Sequence, residues 1–222
     1  MTSPLALGVL LSGSGTNLQA IVDAIAAGTL PARVAVVISN VPDAYGLVRA
    51  RAHGIRVEVI PHRDFPSREA FDARLVETLH AHGVELVVLA GFMRLVTRVL
   101  LDAFPGRVLN IHPALLPAFP GLHAERQALD HGVSITGVTV HLVDEQTDHG
   151  PILAQAAVPV LPGDTEESLH ARIQVQEHRV YPLAIRLIAE GRLRLEGRRV
   201  IVSSTGADAG AALVNPPPDA AW

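Results

Sequence analysis

Three stretches with helical spacing each close on a glycine, and each lies between short apolar or β-branched runs. This alternation constrains the fold more than anything else in the chain. Asn17 to Ala27 close at Gly28, Ala44 to His53 at Gly54, and Ser67 to His82 at Gly83. A glycine just past a helix takes the left-handed conformation that satisfies the last carbonyls, at no steric cost. The intervening runs, Leu5 to Leu11, Arg33 to Ser39, Arg56 to Ile60 and Leu86 to Ala90, have the length and composition of strands. Strands separated by helices pair in parallel. The expectation is therefore α/β, a Rossmann-like and mostly parallel twisted sheet flanked by helices.

The second half changes character. A strand ends at His112, a proline-rich loop follows, and a short helix from Ala124 to Asp130 stops near Gly132. Ile135 to Val143 and Ile152 to Val160 read as longer strands on either side of Asp144 to Pro151, a span suited to an ordered loop. Thr165 to Glu190 reads as a long helix interrupted at Pro182, because proline removes a backbone donor and crowds the preceding turn. Arg194 to Glu196 and Val200 to Val202, around Gly197, suggest a small terminal hairpin. Ser203 to Trp222, rich in Ala, Gly, Pro and Asp, reads as a flexible tail.

A net charge of −4 weighs against a nucleic-acid binder that relies on a general basic field, so an anionic ligand must be held by local donors. With no cysteine, the chain has no disulfide, thiolate nucleophile or cysteine metal site, which fits a cytoplasmic protein. Leu5 to Leu11 is too short to span a membrane and leads straight into a glycine loop. No HExxH occurs and His141 to His149 is not a recognised ligand spacing, so no metal is expected.

That loop, Ser12-Gly13-Ser14-Gly15-Thr16-Asn17, sits between a strand and a helix, where glycines admit an anion to the backbone and free amides point at it. It lacks the Lys-Ser or Lys-Thr of an ATP loop, and Leu18 holds the place of the last glycine of a dinucleotide fingerprint. On its own it reads equally as a phosphate cradle or a tight structural turn. Further on, Arg107-Val108-Leu109-Asn110-Ile111-His112 ends a strand, and the period of two puts Asn110 and His112 on one face at its carboxyl end, where open α/β sheets bind ligands. Together with Asp148 in Thr147-Asp148-His149-Gly150-Pro151 they supply an amide donor, an imidazole and a carboxylate. The plainer reading makes Asn110 and His112 ordinary strand-end residues and Asp148 the start of an Asx turn.

With the glycine loop, the runs Leu89-Ala90-Gly91-Phe92-Met93-Arg94, Asn110-Ile111-His112-Pro113, Leu115-Leu116-Pro117, Pro120-Gly121-Leu122-His123, Gly137-Val138-Thr139-Val140-His141 and Gln176-Glu177-His178-Arg179-Val180-Tyr181-Pro182 occur in an order that closely resembles the glycinamide ribonucleotide formyltransferases, folate-dependent enzymes of purine synthesis. The resemblance implies a single formyltransferase domain over residues 1–202, with about 1–100 as a nucleotide-binding half and about 101–202 as a catalytic and folate-binding half. It implies 10-formyltetrahydrofolate as co-substrate, no metal, small-molecule partners without nucleic acid or membrane, and a monomer or homodimer. Asn110, His112 and Asp148 would be catalytic. Gly15, Thr16 and Asn17 would hold the ribonucleotide, joined by Gln174 and by Glu177, which otherwise reads as a solvated helix residue. Arg68, Met93, Arg94, Leu95, Val96, Asn110 and Val143 would meet the folate, although Met93, Leu95 and Val96 read equally as core and Arg68 as a first-turn surface charge.

Two positions depart from the family pattern: Ala114 stands where a serine is common and His149 where a glycine is common. Rival readings are methionyl-tRNA formyltransferase and formyltetrahydrofolate deformylase, and, from a different class, a nucleotide-binding module without catalysis. A tRNA enzyme is expected to carry a further basic C-terminal domain and a deformylase an added N-terminal one. The retained Asn110, His112 and Asp148 count against a binding module.

Overall fold

A computed structural model describes residues 3–203; the tail expected from Ser203 to Trp222 lies, beyond its first residue, outside the described residues. The first half runs β1 (Leu5–Leu11), α1 (Thr16–Ala26), β2 (Ala32–Ser39), α2 (Tyr45–Ala52), β3 (Val57–Val59), a 3₁₀ turn at His62–Asp64, α3 (Arg68–Ala81) and β4 (Leu86–Leu89). Then come α4 (Arg98–Ala103), β5 (Val108–His112), α5 (Ala124–His131), β6 (Ile135–Leu142), β7 (Ile152–Pro159), α6 (Glu166–Ala189) and the hairpin β8 (Leu193–Glu196) with β9 (Arg199–Val202). A single seven-stranded sheet, in the order β3-β2-β1-β4-β5-β6-β7, runs through both halves of the chain. Its first five strands are parallel, while β6 and β7 are antiparallel to their neighbours.

Alternation along the strands splits the core into two layers. Leu7, Val9 and Leu11 of β1, Leu86 and Val88 of β4, Leu109 and Ile111 of β5 pack with Leu18 and Ile21 of α1 and with the inner side of α6. The opposite face, through Leu10, Ile38, Val87 and Leu89, packs on Phe71, Leu75 and Leu79 of α3 and Leu100 of α4. Helices thus cover both faces, and the order of the strands reverses between β1 and β4. Such a reversal splays the connections apart and leaves a crevice at the carboxyl ends of the strands.

The three closing glycines all take positive φ, 72° at Gly28, 66° at Gly54 and 63° at Gly83. One expectation is corrected. Helix α6 is not interrupted at Pro182 but runs for 24 residues through it. Proline there costs one backbone hydrogen bond and a steric clash, while Tyr181, Ala184 and Ile185 on either side are fully buried and hold the helix to the sheet. The stretch after Val96 contains α4, six residues capped by the Thr97 hydroxyl, which accepts from the Val99 amide. Among the described residues, no helix is long and apolar enough to cross a membrane.

Candidate active site

The α3–α4 apolar layer reaches β5 only at Val108. The next residues on that face of the strand are Asn110 and His112. Antiparallel pairing sets His141 of β6 opposite Asn110 and Thr139 opposite His112, so four polar side chains share the face where the apolar layer stops. Asp148, from the loop between β6 and β7, descends on this patch. Its Oδ2 lies 3.4 Å from His112 Nδ1, and its Oδ1 lies 3.4 Å from Asn110 Nδ2 and 3.6 Å from His141 Nε2. The Gly121 amide donates to Oδ2 at 2.8 Å. The other nitrogen of His112, Nε2, is 2.8 Å from the Phe119 carbonyl, which can only accept, so Nε2 carries a proton. By the same reasoning His141 Nδ1, 2.8 Å from the Leu142 carbonyl, is protonated, and its Nε2 faces both Asn110 Nδ2 at 3.2 Å and Asp148.

Burial alone would raise the Asp148 carboxyl, but hydrogen bonds from His141 and the Gly121 amide and the charges of His112 and His141 together hold it below its ordinary value. Its backbone is left-handed, φ 51°, a conformation that Asp and Asn tolerate better than other non-glycine residues. Beside it, Gly150 is obligatory, because an added Cβ would lie 1.8 Å from the Leu142 carbonyl oxygen. The proline-rich loop is pinned from below. Thr139 Oγ1 donates to the Ala114 carbonyl at 2.7 Å and accepts from the Leu116 amide at 3.0 Å, while Gln155 donates to the Leu116 carbonyl at 3.0 Å. The Leu116–Pro117 peptide is cis. Neither departure from the family pattern displaces this cluster. Ala114 is buried, and His149 pairs outward with Asp144 at 2.8 Å and with Arg198 of the β8–β9 turn.

At the switch point the loop after β1 carries the ribonucleotide candidates. Gly15 adopts φ 71° as the residue before α1, and Gly13 faces open space. Although the loop has no cationic side chain, α2 brings one to it: Arg49 Nε donates to the Ser14 carbonyl at 2.9 Å. Thr16 Oγ1 accepts from Gln174 at 3.2 Å. Glu177 falls on the stripe by which Leu169, Ile173, Val180, Tyr181 and Ala184 bury α6, and is itself buried. Asn17 Nδ2 donates to its carboxylate at 3.0 Å, while Asn17 Oδ1 is buried without a partner. Burial drives the Glu177 carboxyl above its ordinary value, partly offset by Asn17 and the charge of His170.

The folate candidates gather along the loop after β4. Met93 and Leu95 are 64% and 56% exposed, so they are not core residues, whereas Val96 and Val143 pack partly against the α3–α4 layer. Arg94 is half-buried, and Arg68 is exposed at the start of α3. The two loops are tied by Ser12, whose amide donates to the Gly91 carbonyl at 2.9 Å and whose hydroxyl accepts from the Met93 amide at 2.9 Å and donates to Asn40.

The structure thus brings Asn110, His112 and Asp148 together, sets Thr16, Asn17, Gln174 and Glu177 at one wall beside Gly15, and puts Met93 to Val96 at the other. It adds His141, Arg49 and the backbone groups of Phe119 and Gly121, none of which the sequence assigned to the site. His141 had a signal: it shares strand parity with Thr139 in an alternating run. Arg49 and the backbone groups had none.

The chain matches the family model described as Formyl transferase over residues 6–185. It is 45% identical over 207 residues to phosphoribosylglycinamide formyltransferase of Escherichia coli (strain K12), covering 90% of this chain and 98% of that protein. It also matches a segment of the trifunctional purine biosynthetic protein adenosine-3 of Drosophila melanogaster, 49% identical over 83% of this chain but 14% of that much longer protein. The crystal structure of glycinamide ribonucleotide transformylase 1 from Symbiobacterium toebii superposes with a TM-score of 0.90 at 60% identity, over 91% of this chain and 95% of that one.

Proposed function

The chain belongs to the formyl transferase family, and from that premise we propose that its cleft passes a formyl group from 10-formyltetrahydrofolate to the amine of phosphoribosylglycinamide. This is a step of purine synthesis and yields formylglycinamide ribonucleotide. The observation that carries the reading is the convergence of Asn110 and His112 on Asp148 beside a glycine loop at the sheet's switch point.

The substrate amine attacks the formyl carbon, and the carbonyl oxygen becomes an oxyanion on a tetrahedral centre. The Asn110 amide and the His112 Nε2–H, exchanging their contacts with Asp148 and the Phe119 carbonyl, donate to that oxygen; one such donor lowers the barrier by about 2.7–4 kcal/mol. The intermediate collapses by breaking the bond from the formyl carbon to the folate nitrogen, and the proton lost by the amine goes to that nitrogen. Asp148 keeps the His112 ring oriented and supports positive charge on it. A general acid or base of this kind contributes about 10²–10⁴ in rate.

Gly15, Thr16, Asn17, Gln174 and Glu177 take the ribonucleotide, with its phosphate on the loop amides at the start of α1 and Arg49 nearby. The glycinamide end lies against Glu177 and the free Asn17 oxygen. Met93, Arg94, Leu95, Val96, Asn110 and Val143 hold the pterin side, and Arg68 meets the acidic tail. No step needs a residue from a second subunit, so a monomer or a homodimer with two separate sites serves equally.

The test is a formyl-transfer assay with both substrates. Formylation of phosphoribosylglycinamide is the expected result; faster release of formate to water would make the chain a deformylase instead.

A further inference from the structure

On α6, one turn before Gln174, stands His170. Its Nδ1 lies 2.7 Å from Oε1 of Glu125, a buried carboxylate in the first turn of α5. Its Nε2 lies 3.4 Å from the Gln174 amide nitrogen, and that same amide group is 3.2 Å from Thr16 Oγ1 in the glycine loop. A continuous chain of polar contacts therefore runs from α5 through α6 to the start of α1. Besides Glu125, the acidic groups acting on His170 are Glu166 and Glu177 of α6 itself. Arg126 and His123 are engaged with Glu166.

We infer that the Glu125–His170 pair decides which end of the Gln174 amide faces the ribonucleotide, and so ties capture of that substrate to pH. The reasoning is one of donor and acceptor complementarity. When the imidazole is neutral, Nδ1–H is committed to Glu125 and Nε2 is an acceptor. The amide then turns its NH₂ to His170 and Thr16 and its oxygen to the cleft. When the imidazole is charged, Nε2 is also a donor, and the amide must turn its oxygen to His170 and to the Thr16 hydroxyl. Its NH₂ then faces the cleft, where the ribonucleotide offers phosphate, hydroxyl and carbonyl oxygens. The imidazolium charge favours the same anion.

The hydrogen bond to Glu125 is the main influence raising the His170 pKa, against an opposing effect of burial, so the charged form persists above the ordinary imidazole value. Glu125 responds in the complementary direction: burial would raise it, but His170 holds it low. Capture is therefore strongest at low pH and weakens as pH rises through the His170 titration.

This inference rests on the assignment of Gln174 to the ribonucleotide, and the two are separable. Gln174→Ala should raise the KM for phosphoribosylglycinamide across the pH range with little change in the folate KM; no change would remove the assignment and the inference with it. In the native enzyme the ribonucleotide KM should rise about 3- to 10-fold on passing through the His170 titration, the value of one hydrogen bond gained or lost. In His170→Gln that step should vanish, leaving only the ionisation of the substrate itself. An effect of Gln174→Ala together with an unaltered pH profile in His170→Gln would overturn the inference alone.

Glu125→Gln should move the step to lower pH, a shift that a merely structural role would not produce. Because Glu125 is buried, a measurement on the native enzyme stands beside it. Saturation with phosphoribosylglycinamide should move the His170 ring titration, followed by NMR, to higher pH, whereas 10-formyltetrahydrofolate should not. An unmoved titration would overturn the inference.

Discussion

The two walls of the cleft are built on opposite principles. Against the glycine loop, Asn17 and Glu177 are polar and only 8% and 6% exposed, already hydrogen-bonded to each other. Across from them, Met93 and Leu95 are apolar and mostly in solvent. The first wall meets its desolvation cost when the chain folds, so its groups are fixed and partly unsatisfied before any ligand arrives. The second keeps its hydrophobic gain in reserve until a flat ligand covers it. One wall therefore trades stability for preorganisation, and the other trades nothing.

The largest effect should come from the carboxylate on which Asn110, His112 and His141 converge. Asp148→Asn keeps a side chain that tolerates the left-handed backbone but removes the charge facing His112 and His141. The rate constant should fall by about 10² or more, with both KM values changing far less. A loss confined to binding, measured by titrating each ligand separately, would show that Asp148 only shapes the loop.

Next, Glu177→Gln should split the walls. Loss of a charged hydrogen-bonding group should raise the ribonucleotide KM by about 10- to 100-fold and leave the folate KM in place. The same change should stabilise the free protein. Because burial raises the Glu177 carboxyl in the folded state, the native chain binds that proton more tightly folded than unfolded, and loses stability as pH rises from the ordinary value of about 4.5 through the raised one. The variant is spared this loss. Its melting temperature should exceed the native one at neutral pH, with the gap closing below about pH 4.5. Equal melting curves at neutral pH would mean that the first wall is not held at a cost.

The smallest effect is expected at Met93→Ala. Removing exposed apolar surface should leave the melting temperature unchanged. It should weaken folate capture by about 4- to 15-fold, in line with one or two buried methylene groups at about 0.8 kcal/mol each. A marked drop in stability would instead make Met93 a core residue.

The sequence disclosed the scaffold well because its signals are local. A glycine closing each of the first three helices and an apolar or β-branched run at each strand state the order of elements without reference to the rest of the chain. What stayed hidden depends on contacts distant in sequence. The direction of β6 cannot be read from its own residues, and with it goes the pairing of His141 with Asn110. Helix α4 is too short to show a period. Pro182 argued locally for a break that burial of its neighbours overrode. At the site, Asn110, His112 and Asp148 were legible as chemistry, whereas the contributions of Phe119 and Gly121 are backbone groups with no residue-type signature. Arg49 looked like any helix-surface charge until α2 was seen against the glycine loop.

The glycine loop also limits how this chain can vary. A Cβ on Gly15 would lie 2.5 Å from the Cα of Gly46, and one on Gly46 would lie 2.5 Å from a methyl of Leu11 and 3.2 Å from the Cα of Gly15. Position 46 is helical, where alanine is intrinsically better by about 1 kcal/mol, yet the close approach of the two backbones outweighs that preference. Gly15 is the stricter of the two, because its added carbon would meet backbone and its φ is positive, whereas one on Gly46 would require the buried Leu11 side chain to shift. In a mutational landscape Gly15 therefore forms a ridge, and substitution there must begin by moving α2 away from the loop.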